Sequence, residues 1–398
     1  MNLIKIQNGR IISPLRVIDG GCVIIRNGKI ESVNHSDINV PGAVVIDAKG
    51  KYISPGFIDL HVHGGGGHDF MDNEIDGCLA IAALHAKHGT TSLMPTTLSC
   101  EYQDLIDTLD VYEKADKVNL NGAQFIGIHI EGPYFSMEQK GAQDARYIRV
   151  PNVEEYTGII ARSNNIKRWS AAPELKGAIA FGQYLKKRNI LPSIAHTNAI
   201  YEEVVPAFEN GFTHATHFYS CMSGVSRQNA YRYAGVIESA YLIDEMTVEI
   251  IADGVHLPPP LLKLVLKIKG ADKIALITDA MRAAGMPPGL SKLGSKKDGL
   301  EVIVENGVAK LTDRSAFAGS VATMDSLVRN MVSLADATIV DAVKMASLTP
   351  ATIMGLQNAK GSLTAGKDAD IVIFDDDINV LLTMVKGKNI YTDELFCK

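Results

Sequence analysis

Short, almost unbroken apolar runs recur along the middle of the chain, separated by stretches long enough to hold a helix. They cover residues 57–63, 91–98, 125–131, 167–172, 191–196, 215–220, 248–252 and 274–279. A strand with one wet face alternates polar and apolar residues, so runs without that alternation read as parallel strands covered on both faces. Eight of them, interleaved with helices, predict an α/β chain folded as a (β/α)8 barrel. An open doubly wound sheet is the alternative, yet no Gly-x-Gly-x-x-Gly follows the early strands to mark a dinucleotide site. After the eighth run, residues 285–312 are rich in Gly, Pro and Lys and contain a hairpin-like stretch at 300–311, which reads as an insertion.

The two ends have a different texture. Residues 1–53 break into short strands with turn signals at Asn8-Gly9, Asp19-Gly20-Gly21 and Asn27-Gly28, and residues 356–398 look alike. Neither end holds enough strands for a stable sheet alone. Both are therefore expected to join in one small β-sandwich beside a barrel of residues 54–355.

Within the barrel, the chemistry-bearing residues fall at the C-terminal ends of the strands, where this architecture places its active sites. His61 and His63 end strand one and project to one side, because strand side chains alternate faces, and two imidazoles so spaced can hold one metal ion. Gly64-Gly65-Gly66-Gly67 then lets the backbone turn sharply at the rim of a cavity. His129 and Glu131 end strand three, His196 strand five, His217 strand six and Asp279 strand eight, while Asp253 and His256 follow strand seven. His214 and His217 lie three apart and are expected on opposite faces, with His217, nearer the strand end, in the pocket. His129 lies deeper than Glu131 and is expected to hydrogen-bond a metal ligand from behind. His68, His85 and His88 read as rim or helix-surface residues, and His35 as part of the sandwich.

A net charge of −6 gives no electrostatic footprint for nucleic acid or an anionic membrane, so any phosphate must be bound locally. Cys22, Cys78, Cys100, Cys221 and Cys397 are scattered, odd in number and without Cys-x-x-Cys spacing. They suggest neither a disulfide framework nor a thiolate zinc site, and a reducing cytoplasm is the expected compartment. The N-terminus lacks the apolar core of a signal peptide, and no segment approaches the roughly 20 apolar residues of a membrane span.

Taken in order, Pro55-Gly56-Phe57-Ile58-Asp59 with His61-x-His63, His129-Ile130-Glu131-Gly132-Pro133, Ala195-His196-Thr197-Asn198-Ala199, Ala215-Thr216-His217, Asp253-Gly254-Val255-His256, Thr278-Asp279-Ala280 and Ala318-Gly319-Ser320 closely resemble the motifs of the N-acetylglucosamine-6-phosphate deacetylases, a branch of the amidohydrolase superfamily. The resemblance covers nearly the whole chain, including the return through Gly366-Lys367-Asp368-Ala369-Asp370. His-x-His alone would reach only the superfamily. Glu131, standing where many relatives use a lysine, narrows it to the branch.

The resemblance implies hydrolysis of the acetamide of N-acetyl-D-glucosamine 6-phosphate to glucosamine 6-phosphate and acetate. It implies a divalent metal ion, often zinc, held by Glu131, His196 and His217, and a second at His61 and His63 in members that keep that pair. It makes Asp279 the catalytic acid/base, brings His256 to the substrate, sets Ala318 and Gly319 at the substrate site, and implies a homodimer. An amidohydrolase of another N-acyl sugar or cyclic amide, and a non-catalytic scaffold, are the alternatives; a complete ligand set speaks against the scaffold.

The chain also departs from the family pattern. Gln143 follows Gly141-Ala142 where the family usually has a histidine on the acetyl carbonyl, and an amide can donate a hydrogen bond but carries no charge. Phe218-Tyr219-Ser220-Cys221-Met222 replaces the usual Leu-Phe-Asn-Ala-Met and puts Ser220 and Cys221 in the sugar-contacting loop. The phosphate-binding arginine has two candidates, Arg227 and Arg232. Arg232, before Tyr233-Ala234-Gly235-Val236, better matches the family's Arg-Glu-Pro-Gly-Val.

Overall fold

Each of the eight apolar runs overlaps a strand, and neighbours in sequence are neighbours in space. The strands are β1 (Phe57–Val62), β2 (Thr90–Thr97), β3 (Ile128–Glu131), β4 (Ile166–Ala171), β5 (Leu191–Ile194), β6 (His214–Ala215), β7 (Thr247–Ile250) and β8 (Ile274–Leu276). They come from a computed structural model that describes residues 3–394 and 396, so Cys397 falls outside it. Every successive pair is parallel. The ring closes beyond the regular strands: Ala280 bridges Val62, and the Asp279 amide donates to the His61 carbonyl at 2.9 Å. This is the (β/α)8 barrel that the runs predict.

Residues after the eighth strand form a three-stranded antiparallel sheet of Gly289–Leu293, Leu300–Glu305 and Val308–Leu311. Leu293, Val302, Val304 and Ala309 from this insertion pack with Met281, Ala283 and Ala318 in a small core of their own. That core sits beside the barrel mouth, with Leu98 and Ala142 against it.

The chain ends interleave in one eight-stranded sheet. Its strand Tyr52–Pro55, which contains the expected boundary at residue 53, lies between Leu3–Ile12, to which it is parallel, and Ile371–Phe374, to which it is antiparallel. Strand alternation explains why Ile371-Val372-Ile373-Phe374 is apolar throughout. Ile371 and Ile373 enter the terminal core with Ile6, Ile11, Val23 and Ile53, while Val372 and Phe374 enter the barrel core.

Of the three turn signals only Asn27-Gly28 makes a hairpin turn, between Val17–Arg26 and Lys29–Asn34. Asn8-Gly9 and Asp19-Gly20-Gly21 lie inside strands, where the pairing slips and Gly9 faces Gly21. The reason is space. A Cβ on Gly9 would sit 2.6 Å from Ile53 Cδ1, so the glycine lets this strand bend and pass from Val44–Asp47 to Tyr52–Pro55 as its partner.

Phe374 ties the two modules together, its ring 5.4 Å from Tyr52 and 6.3 Å from Phe57. Phe374→Ala is expected to cost about 3–5 kcal/mol, as other buried aromatic truncations do, and to lower the urea midpoint accordingly. A loss under about 1 kcal/mol, far below that range, would mean that the sheet and barrel do not depend on this contact.

Candidate active site

The strands deliver side chains to the mouth by ending early. Regular pairing stops at Ile194, Ala215 and Leu276, and His196, His217 and Asp279 just beyond adopt positive φ of 46°, 30° and 49°. A non-glycine residue is strained there and persists only where its surroundings hold it. They do: the His196 carbonyl accepts from the Ser136 amide at 2.9 Å, and the Phe218 amide after His217 donates to the Glu249 carbonyl at 2.7 Å.

Two groups of three donors result, each with ligand atoms within 4.8 Å of one another. In the first, His217 Nε2 and His196 Nε2 lie 3.0 and 3.4 Å from Glu131 Oε1. In the second, His63 Nε2 is 3.2 Å from His61 Nε2 and 3.1 Å from Asp279 Oδ1. The groups adjoin, since His61 Nε2 and His63 Nε2 are 3.6 and 3.5 Å from the Glu131 carboxylate.

Burial alone would push the Glu131 carboxyl up, but the His61 charge and hydrogen bonds from His196 and His217 outweigh it and hold the group well below its ordinary value. Asp279 is lowered in the same way, with burial opposed by His61 and the His63 hydrogen bond. Burial likewise opposes protonation of His63, yet Asp279 and Glu131 raise it to about 9. The cluster therefore calls for positive charge. Mixed imidazole and carboxylate donors suit a divalent transition-metal ion. His196 Nδ1 donates to the Gln139 carbonyl at 2.8 Å, which orients the ring and leaves Nε2 as the nitrogen that would ligate an ion.

A cavity of about 770 Å³ opens on both groups. Gln143, Ser220, Cys221, His256 and Gly319 line it, as do Leu293, Ala316 and Phe317 from the insertion side, which the sequence motifs do not single out. Ala318 is buried in the insertion core behind this wall and does not line the cavity. Arg227 and Arg232 are cross-strand partners on an exposed hairpin, Ser226–Gln228 with Tyr231–Tyr233, and neither lines the cavity.

Gln143 donates one Nε2 hydrogen to Glu131 Oε2 at 2.8 Å and accepts from the Ser99 amide at 2.8 Å, so its amide braces a metal-ligand candidate at the cavity wall and keeps a second Nε2 hydrogen. Other expectations need correction. His129 hydrogen-bonds Ser170 Oγ at 2.7 Å and Thr96 Oγ1 at 3.3 Å; it meets His61 only ring edge to ring, at 4.6 Å. His85 is fully buried, with Nε2 3.0 Å from the Gly64 carbonyl. His214 does not face away from the lumen. It lies deeper in it, 2.7 Å from Thr247 Oγ1 and 3.3 Å from Glu249, because β6 ends at Ala215 and alternation no longer relates it to His217.

Sequence reading also passes over a buried ion pair beneath the mouth, Arg168 on β4 with Glu249 on β7. The signal was a charge inside each of two strands, Glu249 alone among apolar residues and Arg168 next to Lys167. Burial opposes the Glu249 charge, but the Arg168 guanidinium, with the His214 and His61 rings beside it, holds its carboxyl well below the ordinary value.

Known proteins share this architecture and sequence. A model described as the amidohydrolase family matches residues 52–390. The N-acetylglucosamine-6-phosphate deacetylase of Lysinibacillus sphaericus is 35% identical over 374 residues, 92% of each chain. An N-acetylgalactosamine-6-phosphate deacetylase of Escherichia coli O157:H7 is 34% identical over 380 residues, 95% of this chain and 97% of that one. A solved N-acetyl-D-glucosamine-6-phosphate deacetylase from Mycobacterium smegmatis, an aspartate-to-alanine mutant in complex with N-acetyl-D-glucosamine-6-phosphate, superposes with a TM-score of 0.90 at 28% identity, over 98% of this chain and 100% of that one. The chain belongs to the amidohydrolase family and, within it, to the N-acetylglucosamine-6-phosphate deacetylases.

Proposed function

We propose that the chain hydrolyses the acetamide of N-acetyl-D-glucosamine 6-phosphate to glucosamine 6-phosphate and acetate, in amino-sugar catabolism in the cytoplasm. The observation that carries this reading is the convergence of two adjoining ligand groups and the Asp279 carboxylate on one cavity, in a chain of this family.

Glu131, His196 and His217 would hold one divalent ion and His61, His63 and Asp279 a second, with zinc as the proposed metal. Such an ion lowers the pKa of bound water toward neutrality and polarises a carbonyl. Asp279, ionised and facing the cavity, takes a proton from the attacking water and delivers it to the departing nitrogen, so that the amine leaves neutral. His256 is oriented by Asp253, 2.7 Å from Nδ1, and by Phe317, 4.5 Å from its ring, which leaves Nε2 for the sugar or its phosphate. Gly319 has φ +64°, and a Cβ there would sit 2.9 Å from the Asp279 carbonyl; its bare backbone leaves room for the sugar ring. Ser220 and Cys221 complete the wall.

No lysine or arginine lines the cavity among the described residues. Arg227 and Arg232 reach a bound phosphate if their hairpin closes over the mouth or if a second copy of the chain supplies it. A homodimer is part of this proposal, and the exposed Tyr231 on the hairpin and Val225 just before it favour it. The galactosamine-type relative makes the 4-epimer the second reading for the sugar.

Acetate release tests the proposal directly. Among N-acetylglucosamine, N-acetylgalactosamine and their 6-phosphates, N-acetylglucosamine 6-phosphate should give the highest kcat/KM. A preference for an unphosphorylated sugar would remove the phosphate from the reading, and a preference for the galacto epimer would replace the sugar.

His196→Ala should lose a ligand, bind its ion weakly and retain little activity. Full metal content by elemental analysis, with a normal rate, would falsify the assignment of the Glu131 group.

Asp279→Asn should fold and lose turnover by at least about a hundredfold, the scale of a positioned acid/base, when assayed with saturating metal. Normal turnover by that folded variant would take Asp279 out of the mechanism.

A further inference from the structure

Below the two ligand groups the barrel lumen holds charge instead of hydrocarbon. Arg168 and Glu249 are both fully buried and face each other as a two-pronged pair: Nη2 donates to Oε2 at 2.8 Å and Nη1 donates to Oε1. Arg168 spends its remaining donors across the lumen, on Ser193 Oγ at 3.0 Å, Thr216 Oγ1 at 2.8 Å and the Leu60 carbonyl at 3.2 Å. Stability does not account for such a pair, since well-packed hydrophobic replacements of a buried ion pair are often neutral or stabilising. What Glu249 touches besides Arg168 is more informative.

Its Oε2 lies 3.6 Å from His61 Nδ1 and accepts from the His217 backbone amide at 3.4 Å, while Oε1 is 3.3 Å from His214 Nε2. His61 Nδ1 is buried and has no hydrogen-bond partner. At 3.6 Å, the Glu249 carboxylate stands just outside hydrogen-bond distance of this nitrogen. His61 belongs to one donor group and His217 to the other, so a single carboxylate stands behind both. A carboxylate behind a metal-bound imidazole fixes its tautomer and orientation and raises its basicity.

We propose that Glu249 is the positioning residue of this metal centre: clamped by Arg168, it orients the His61 ring and the His217 backbone and thereby sets the spacing of the two donor groups. The inference rests on the metal-dependent reading above. It concerns residues that touch neither substrate nor the reacting atoms.

The test compares the wild-type chain, Glu249→Gln and the double variant Arg168→Met/Glu249→Gln, which leaves no lone buried charge. Zinc affinity is read by competition with a chromogenic chelator, ions per chain by elemental analysis, and folding by the thermal midpoint. The double variant should melt close to wild type yet bind zinc about 10- to 100-fold more weakly, the usual effect of losing such a partner. Its kcat should recover largely at saturating zinc, which separates poor metal retention from lost chemistry. Wild-type zinc affinity in the folded double variant would overturn the positioning role alone, and a double variant that does not fold would make the pair structural and overturn it as well. A wild-type chain that holds no divalent ion would instead overturn the metal-dependent reading itself.

Discussion

Glu131 carries a charge at the base of a cavity where burial alone would neutralise it, and most of the architecture around it follows from that constraint. Four imidazoles, those of His61, His63, His196 and His217, approach its carboxylate within 3.6 Å. They come from three different strand ends, so no local stretch of chain could gather them. A parallel barrel can, because all eight C-terminal ends open on one mouth. The left-handed backbone at His196, His217 and Asp279 is the local cost of turning those side chains inward, and hydrogen bonds to neighbouring strands hold it in place.

The barrel was legible because its strands are covered on both faces and so leave runs without alternation. The terminal sheet was legible for the converse reason, that neither end is sufficient alone. The donor groups were legible as well, since His61, His63, Glu131, His196, His217 and Asp279 all follow apolar runs. Alternation failed where regular pairing stopped. The His214 and His217 argument assumed a strand through residue 220, whereas β6 ends at Ala215 and both residues serve the lumen at different depths. Arg168 and Glu249 were hidden for another reason. Glu249 is one charge in an apolar run, Arg168 sits beside a second charge, Lys167, and the two stand 81 residues apart, so only the folded chain makes them partners. Motif matching singled out Arg227 and Arg232, but it could not say that both would be cross-strand partners on a short exposed hairpin that does not line the cavity.

The departures from the family pattern are connected through space. Gly141, at φ +53°, has no side chain, and a Cβ there would lie 2.6 Å from Cys221 Sγ and 3.7 Å from His196 Cε1. Cys221 therefore takes the room that Gly141 leaves, beside a metal-ligand candidate, and a side chain at either position constrains the other. Two residues after Gly141 the chain reaches Gln143, whose amide is committed to Glu131 and to the Ser99 backbone. A neutral amide in that position braces the carboxylate without adding charge to the site. The metal-ligand candidates are thus fixed by the barrel, whereas the cavity walls around them hang on the insertion and on short left-handed loops. That division of labour explains how residue types around the substrate can differ from the family pattern while the donor groups stay intact.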